Sequence, residues 1–408
     1  MLGRGAALLS DDDPEEPGDG SAIASSVADY PARISPGELK SADIGTVRLE
    51  DVAARIGVSR SEVSRVINGR IREGKGVGPA MRQRILDVAR EMNYRPNRAA
   101  QSLARGRTDT VALMMVIERQ EQSIGNPADD HHELSPHYHE IVGALTYVLH
   151  QHGMNLLLAQ CGGRDTDPLT ALEELARSSA CDGIVITDMR VDDQRPALLS
   201  KIGLPFVVRG SSPVPGVVAV GVDNFQVGYQ AISWLSRLGH RRIAFFNIGE
   251  DLMSGRGRHL GMRAAQSQTG VEIEYRDDAH YDDGAYAAVR ARLREPEFPT
   301  AIFIEDEIGA LGAMRAIEEA GLRVPEDVSV LSCLNARFMR QVAPRLTVLD
   351  LHQARVAAQA GHLLARMLRG EDVELGQRLI APEVQERGST AAPPGRSAFR
   401  AGTVAIKN

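Results

Sequence analysis

The chain has 408 residues, 43% of them hydrophobic and 25% charged, which suits two or three globular domains. Its three cysteines, Cys161, Cys181 and Cys333, are too few and too scattered for a disulfide framework or a zinc site, and they fit a reducing cytoplasm. No apolar run reaches the roughly 18 residues that a membrane helix needs, and the start lacks the long apolar core of an export signal, so the expected location is cytoplasmic.

The formal net charge is −7, unevenly spread: residues 1–45 carry −6, residues 46–107 carry +8 and the remainder −9. A compact basic segment on an acidic body is the electrostatic footprint of a module that binds a polyanion.

Residues 1–45 are rich in Pro, Gly, Ser, Asp and Ala without sustained periodicity, which predicts a disordered acidic tail. Two readings of it stand: a competitor for the basic segment, or an extension without function. Residues 46–96 predict three short helices. Leu49, Val52, Ala53 and Ile56 fall on one helical face, and Gly57-Val58 makes a turn. Ser59 then stands as an N-cap with Glu62 three residues on, opening a second helix that runs to about Asn68. A Gly-rich loop spans Gly69–Gly78. Pro79 opens the third helix, with Met81, Ile85, Val88, Ala89 and Met92 as its apolar stripe.

Two helices joined by a short Gly-containing turn form a helix-turn-helix, whose second helix can enter the major groove with its N-terminal residues toward base edges. Those residues are Ser59, Arg60, Ser61, Ser64 and Arg65. An arginine can fork onto guanine O6 and N7, and a serine hydroxyl can bond a base or a phosphate. A solvated helical hairpin with surface arginines is the alternative.

From Thr110 to about Arg387 short apolar runs alternate with amphipathic segments. The runs are 111–117, 154–159, 183–187, 205–208, 217–222, 242–248, 300–304 and 328–332; the amphipathic segments include 138–151, 168–179, 224–238, 256–268, 306–320 and 351–369. Such strands, nearly continuous in apolar residues and separated by helices, imply parallel sheets covered on both faces. Their number fits two doubly wound halves better than one, with a closed β/α barrel as the competing topology. Residues 389–408 are expected to form a loose tail.

The stretch VRLEDVAARIGVSRSEVSRVINGR, followed by MRQRILDVAREMNYRPNRAAQSLARGRT, resembles the head of the lactose-repressor (LacI/GalR) family. The likeness continues through SPHYHEIVGAL, CDGIVIT, VGVDNFQVGYQA, LGHRRIAFF, ALGAMRAIEEAGLRVPEDVSV and RLTVL. It implies an all-α DNA-binding head joined by a hinge at 97–108 to a periplasmic-binding-protein-like α/β body at 109–388. It also implies a homodimer on a pseudo-palindromic operator, with a small effector in the cleft between the two subdomains. In that family the positions of Arg60 and Ser61 read bases, while those of Ser59, Ser64, Arg65 and Asn68 anchor further contacts. Asn97 to Ala104 resembles the hinge helix, expected to order when two heads meet on DNA, with Asn97 among its DNA-binding residues and Leu103 as a minor-groove wedge flanked by Arg98, Gln101, Arg105 and Arg107. Packing of Leu103 on the body is the alternative.

Departures from the family pattern are visible. Arg48 stands where a threonine usually caps the first helix and touches phosphate. The loop IREGKGVG is long, and its Arg70, Arg72 and Lys75 suit phosphate contacts or plain solvation equally. In the body, Tyr138 occupies the place of an aromatic beside the ligand, and Arg258 that of an arginine that contacts sugar hydroxyls. Glu305 and Asp306 replace an Asn-Asp pair. Cys333, Leu334 and Asn335 replace an aromatic and two aspartates. Arg209 ends a strand and can face the cleft, whereas Asp223 fits a local turn better than the ligand. Two arginines suit an anionic effector and Glu305 with Asp306 pull the other way; a sugar or glycoside is the family default. The resemblance implies a repressor released by its effector, with a regulator of the same build that needs its ligand as co-repressor, or that activates, as the alternative.

GRGRHLG at 255–261 imitates a dinucleotide fingerprint with the wrong spacing and reads as a turn on the ligand side. His131, His132, Glu133, His137, His139 and Glu140 read as a cleft lip rather than a metal site. No nucleophile elbow, P-loop or HExxH helix is present, so neither an enzyme nor a cofactor is expected, and a sugar-binding or sugar-processing protein is the alternative from another class.

Overall fold

The computed structural model describes residues 47–69, 77–116, 136–161, 167–246, 249–276 and 281–394. The expected acidic tail and the loop cations Arg70, Arg72 and Lys75 lie outside them. The chain divides into two compact units, one ending at Asn97 and the other beginning at Arg98.

In the first unit α1 (Leu49–Ile56), α2 (Arg60–Ile67) and α3 (Pro79–Glu91) share one small core. Gly57 ends α1 at φ 78°, a left-handed conformation that glycine adopts without steric cost. Ser59 caps α2: its Oγ accepts the Glu62 N–H at 3.2 Å, and the Ser59 N–H donates to the Glu62 carboxylate at 2.9 Å. Val52 and Ala53 of α1, Val63 and Val66 of α2, and Ile85 and Ala89 of α3 are buried together. Helices this short are marginal alone, so this common core supplies most of their stability.

The second unit opens with α4 (Arg98–Arg105) and contains two six-stranded sheets. The first sheet holds β1 (Thr110–Val116), β2 (Asn155–Cys161), β3 (Gly183–Ile186), β4 (Phe206–Arg209), β5 (Val218–Val222) and β11 (Gly376–Ile380), in the order β11-β5-β4-β3-β1-β2 and all parallel. The second holds β6 (Arg242–Phe246), β7 (Glu272–Arg276), β8 (Ala301–Ile304), β9 (Ser329–Cys333), β10 (Thr347–Asp350) and β12 (Glu383–Gln385), in the order β12-β10-β9-β8-β6-β7. Only β12 runs antiparallel. Two doubly wound halves are therefore present, and the closed barrel is excluded.

Each half buries its sheet under helices. On the first, α5 (Pro136–Gln151) and α12 (Gln353–Leu368) cover one face through Ile141, Leu145, Ala360 and Leu364. On the second, α8 (Asn224–Leu238) and α9 (Met253–Thr269) pack on Ile243, Phe245 and Phe303. The chain passes between the halves after β5, after β10 and after β11, and Asp223 N–H donates to the Ile380 carbonyl at 2.9 Å where two of these crossings meet. As expected, Asp223 serves a local turn, capping α8 through the Gln226 N–H at 3.1 Å.

Residues 388–391 are not a loose tail. Ser389 Oγ donates to the Val330 carbonyl at 2.6 Å and accepts the Thr347 N–H at 2.8 Å, and buried His240 meets the Ala391 carbonyl at 2.9 Å. Small polar residues carried no hydrophobic signal there, but their hydroxyls satisfy buried backbone groups of the second sheet. Among the described residues no helix is long and apolar enough to cross a membrane.

Candidate functional site

The N-terminal end of α2 presents the residues expected to read DNA. Ser59, Arg60, Ser61 and Arg65 are exposed, and Ser64 is half-buried. Free N–H groups and the positive end of the helix dipole favour a phosphate nearby. Ser59 Oγ lies 2.9 Å from Ser61 Oγ, and Arg65 Nε donates to the Ser61 carbonyl at 3.3 Å. Asn68 Nδ2 donates to Ser64 Oγ at 3.1 Å, which braces the C-terminal turn of α2. Arg60 is 71% exposed and pairs with Glu50 of α1 at 2.9 Å, so an anion that approaches it competes with that carboxylate. Arg48 is exposed, and its N–H donates to Asp51 at 2.7 Å; here the cap of α1 comes from the helix's own first turn.

In the second unit α4 is helical. Leu103 stands 88% exposed on it and does not pack on the body. Arg105 pairs with Asp109 at 2.8 Å and donates to Gln101 at 3.2 Å. Asp182, just ahead of β3, takes the Thr108 N–H at 2.7 Å, the Thr108 hydroxyl at 2.9 Å and the Asp109 N–H at 2.7 Å. That latch fixes the end of the hinge segment to the body.

The expected effector residues form two clusters, each at the C-terminal strand ends of one half, the usual ligand position in such sheets. On the first half, Tyr138 of α5 donates its hydroxyl to Asp188, and Thr187 Oγ1 donates to the same carboxylate oxygen at 2.5 Å. Burial pushes the Tyr138 hydroxyl well above its ordinary pKa, reinforced by the Asp188 charge, so it stays a donor. Arg209, at the end of β4, is buried beside this group. On the second half, Arg258 of α9 pairs with Glu305 after β8 at 2.8 Å, with side chains only 10% and 1% exposed, and its Nε donates to Asn224 of α8 at 3.1 Å. Burial works against the Arg258 charge, but the Glu305 carboxylate outweighs it and the net shift is upward.

A strap joins the halves. The loops after β3 and β6 pair antiparallel at Arg190 and Leu252. Val191 N–H donates to the Asp251 carbonyl at 2.8 Å, Met253 N–H donates to the Met189 carbonyl at 2.8 Å, and Arg190 pairs with Asp251 at 2.6 Å. It links the residue after Asp188 to the first turn of the helix that carries Arg258.

Comparison with known proteins agrees with this geometry. Residues 48–97 match the model of bacterial regulatory proteins of the lacI family, and residues 232–390 match a periplasmic binding protein-like domain. The HTH-type transcriptional regulator AglR of Rhizobium meliloti (strain 1021) is 31% identical over 362 residues, covering 86% of this chain and 96% of its own. The HTH-type transcriptional regulator CelR of Thermobifida fusca is 32% identical over 349 residues, covering 84% and 97%. The chain belongs to the lacI family of transcriptional regulators. Among solved structures, a CelR–cellobiose complex superposes with a TM-score of 0.58 at 30% identity, covering 84% of this chain and 99% of that one. The lac repressor dimer bound to operator and the anti-inducer ONPF shares the fold, with a TM-score of 0.71 at 24% identity over 85% of this chain and 99% of that one.

Within this lacI-family body the structure brings Tyr138 and Arg209 together, and separately Arg258 and Glu305. Two expected ligand residues are occupied elsewhere. Asp306 caps α11 (Glu307–Glu319) through the Ile308 and Gly309 N–H groups at 3.1 and 3.0 Å, because a strand-to-helix junction needs an acceptor there. Asn335 donates to Asp350 at 2.7 Å and accepts from Arg387, which makes it a brace at the crossing after β10. Thr187, Asp188 and Asn224 escaped the sequence reading; the polar pair ending the GIVIT run was the available signal. The GRGRHLG segment lies inside α9 rather than in a turn. His131, His132 and Glu133 lie outside the described residues, and Glu140 faces Asp350 and Arg340 across the crossing.

Proposed function

We propose that the chain is a homodimeric repressor that binds a pseudo-palindromic operator in double-stranded DNA in the cytoplasm. A small-molecule effector, a sugar or glycoside, releases it, and no catalysis is involved. The observation that carries the reading is the exposed Ser59-Arg60-Ser61 edge of α2, with Arg65 one turn on, set in a segment of net charge +8. Phosphate-seeking cations supply affinity, and the helix end supplies base contacts.

Pairing of two copies is supported by α5 and the edge strand β2. Tyr147 and Leu158 are exposed there, beside a concavity of about 340 Å³ lined by Val142, Thr146, Met154 and Leu156. Effector binding is supported by the two polar clusters at the strand ends and by the cellobiose held by CelR. Effector and operator then oppose each other reciprocally through the latch at Asp182.

Binding of a fluorescent fragment from upstream of the coding region tests the proposal. Affinity should exceed that for random duplex and fall steeply as salt rises, as counterion release requires. Equal affinity for every duplex, at every salt concentration and with every sugar added, overturns it.

A further inference from the structure

Arg209 closes β4 with only 9% of its surface exposed. Its guanidinium makes no hydrogen bond or ion pair with any described group, and its Nε is sealed from solvent. A guanidinium buried without a partner is costly unless something else completes it. The register of β3 on β4 pairs Ile186 with Val208 and so puts Asp188 and Arg209 at neighbouring strand ends; burial lowers the Arg209 pKa, the Asp188 charge offsets part of that, and the two form no ion pair. The reason lies in the carboxylate. Its Oδ2 already receives the Tyr138 and Thr187 hydroxyls, which orient it and leave Oδ1 as the open acceptor.

A donor fork and an acceptor oxygen thus stand side by side without bonding each other. Their charges cancel, and Arg258 with Glu305 cancels on the opposite half. A phosphate or carboxylate placed against Arg209 also meets the Asp188 charge. A hydroxyl satisfies both at once, accepting from the guanidinium and donating to the carboxylate. We infer that Arg209 and Asp188 form a hydroxyl-reading subsite that selects an uncharged polyol effector and excludes its phosphorylated and acidic forms. This deepens the effector reading above and depends on it. It also decides between the anionic and neutral ligands that the sequence left open.

The test titrates the full-length protein calorimetrically with two matched panels. One holds cellobiose, maltose, lactose, glucose and galactose; the other holds glucose 6-phosphate, galactose 6-phosphate, gluconate, glucuronate and cellobionate. Binding is expected in the neutral panel alone. For a sugar that binds, Asp188→Asn and Arg209→Lys should each weaken it ten-fold or more, and Asp188→Asn should narrow the gap between that sugar and its anionic counterpart. An anionic sugar that binds wild type and is lost in Arg209→Lys overturns the subsite while leaving the effector reading intact. A neutral sugar that binds both variants at wild-type strength overturns it too. Heat from neither panel sinks the sugar-effector reading itself, and the subsite with it.

Discussion

Gly228 of α8 lies so close to Arg258 of α9 that a Cβ added to it falls 2.0 Å from the Arg258 carbonyl oxygen. Gly261 repeats the relationship from the other helix, its Cβ position 1.9 Å from the Phe225 carbonyl oxygen. The glycines let two helix backbones touch, and that contact brings the Arg258 side chain to Asn224 and Glu305. Gly228→Ala must push the helices apart. Overpacking of this kind costs about 1–3 kcal/mol. The expected result is a lower melting temperature together with a weaker effector response, whereas Gly143→Ala in the interior of α5, which meets open space and gains helix propensity, should lower neither.

The same helices show what the sequence revealed and what it hid. The GRGRHLG glycines suggest a ligand-side turn in the sequence, whereas in the fold Gly257 and Gly261 are approached closely by another element. Only the fold shows that the approaching object is α8. Apolar central strands such as β3 and β8 were legible because both of their faces are buried. The edge strand β7 was not, since EIEYR alternates charges on a half-exposed rim. Arg209 and Asp188 end the adjacent parallel strands β4 and β3, so the fold class brings them near each other; what stayed hidden is that Tyr138 and Thr187 hold the Asp188 carboxylate.

Arg60 and Glu50 form an exposed ion pair at the surface expected to meet DNA. Such pairs contribute about 0–1 kcal/mol. Glu50→Gln should therefore raise operator affinity by up to about five-fold, because Arg60 no longer has to leave a carboxylate. Arg60→Ala should instead cost about 1–3 kcal/mol at one base position and relax selectivity there. Binding to a set of single-base operator variants reads both effects. A uniform loss across all variants would remove Arg60 from the base-reading group.

Glu62 provides a pH dependence in the head. Its hydrogen bonds from the Ser59 side chain and backbone hold its carboxyl below the usual glutamate value. A depressed folded pKa means stability that is present above the unfolded value and is lost as pH falls through the folded one. Acidification through the lower carboxylate range should thus loosen α2 before the rest of the head. Glu62→Gln should flatten that part of the pH–stability curve of the full chain, monitored by amide exchange at α2. An unchanged curve removes the capping role.

Leu103 is 88% exposed on α4, so its side chain is not packed within the described fold. An apolar side chain of this size contributes about 1.5–3 kcal/mol when fully buried. As a wedge between base steps it gains that contribution only on DNA. Leu103→Ala should leave the melting temperature unchanged, lower operator affinity roughly ten-fold or more, and reduce DNA bending measured by energy transfer across the operator. Full bending by the variant would assign the leucine another role.

The pair of Arg258 and Glu305 allows folding and sensing to be separated. Removing one partner strands a buried charge, which costs about 3–5 kcal/mol, whereas replacing both with apolar residues of similar volume is often neutral. Glu305→Gln should therefore lower the melting temperature strongly. The double variant Arg258→Met with Glu305→Leu should melt near wild type and still bind operator. If the pair faces the effector, that stable double variant will remain on its operator at effector concentrations that release the wild type. If it is released normally, the pair is structural, and effector recognition belongs to the first half of the body alone.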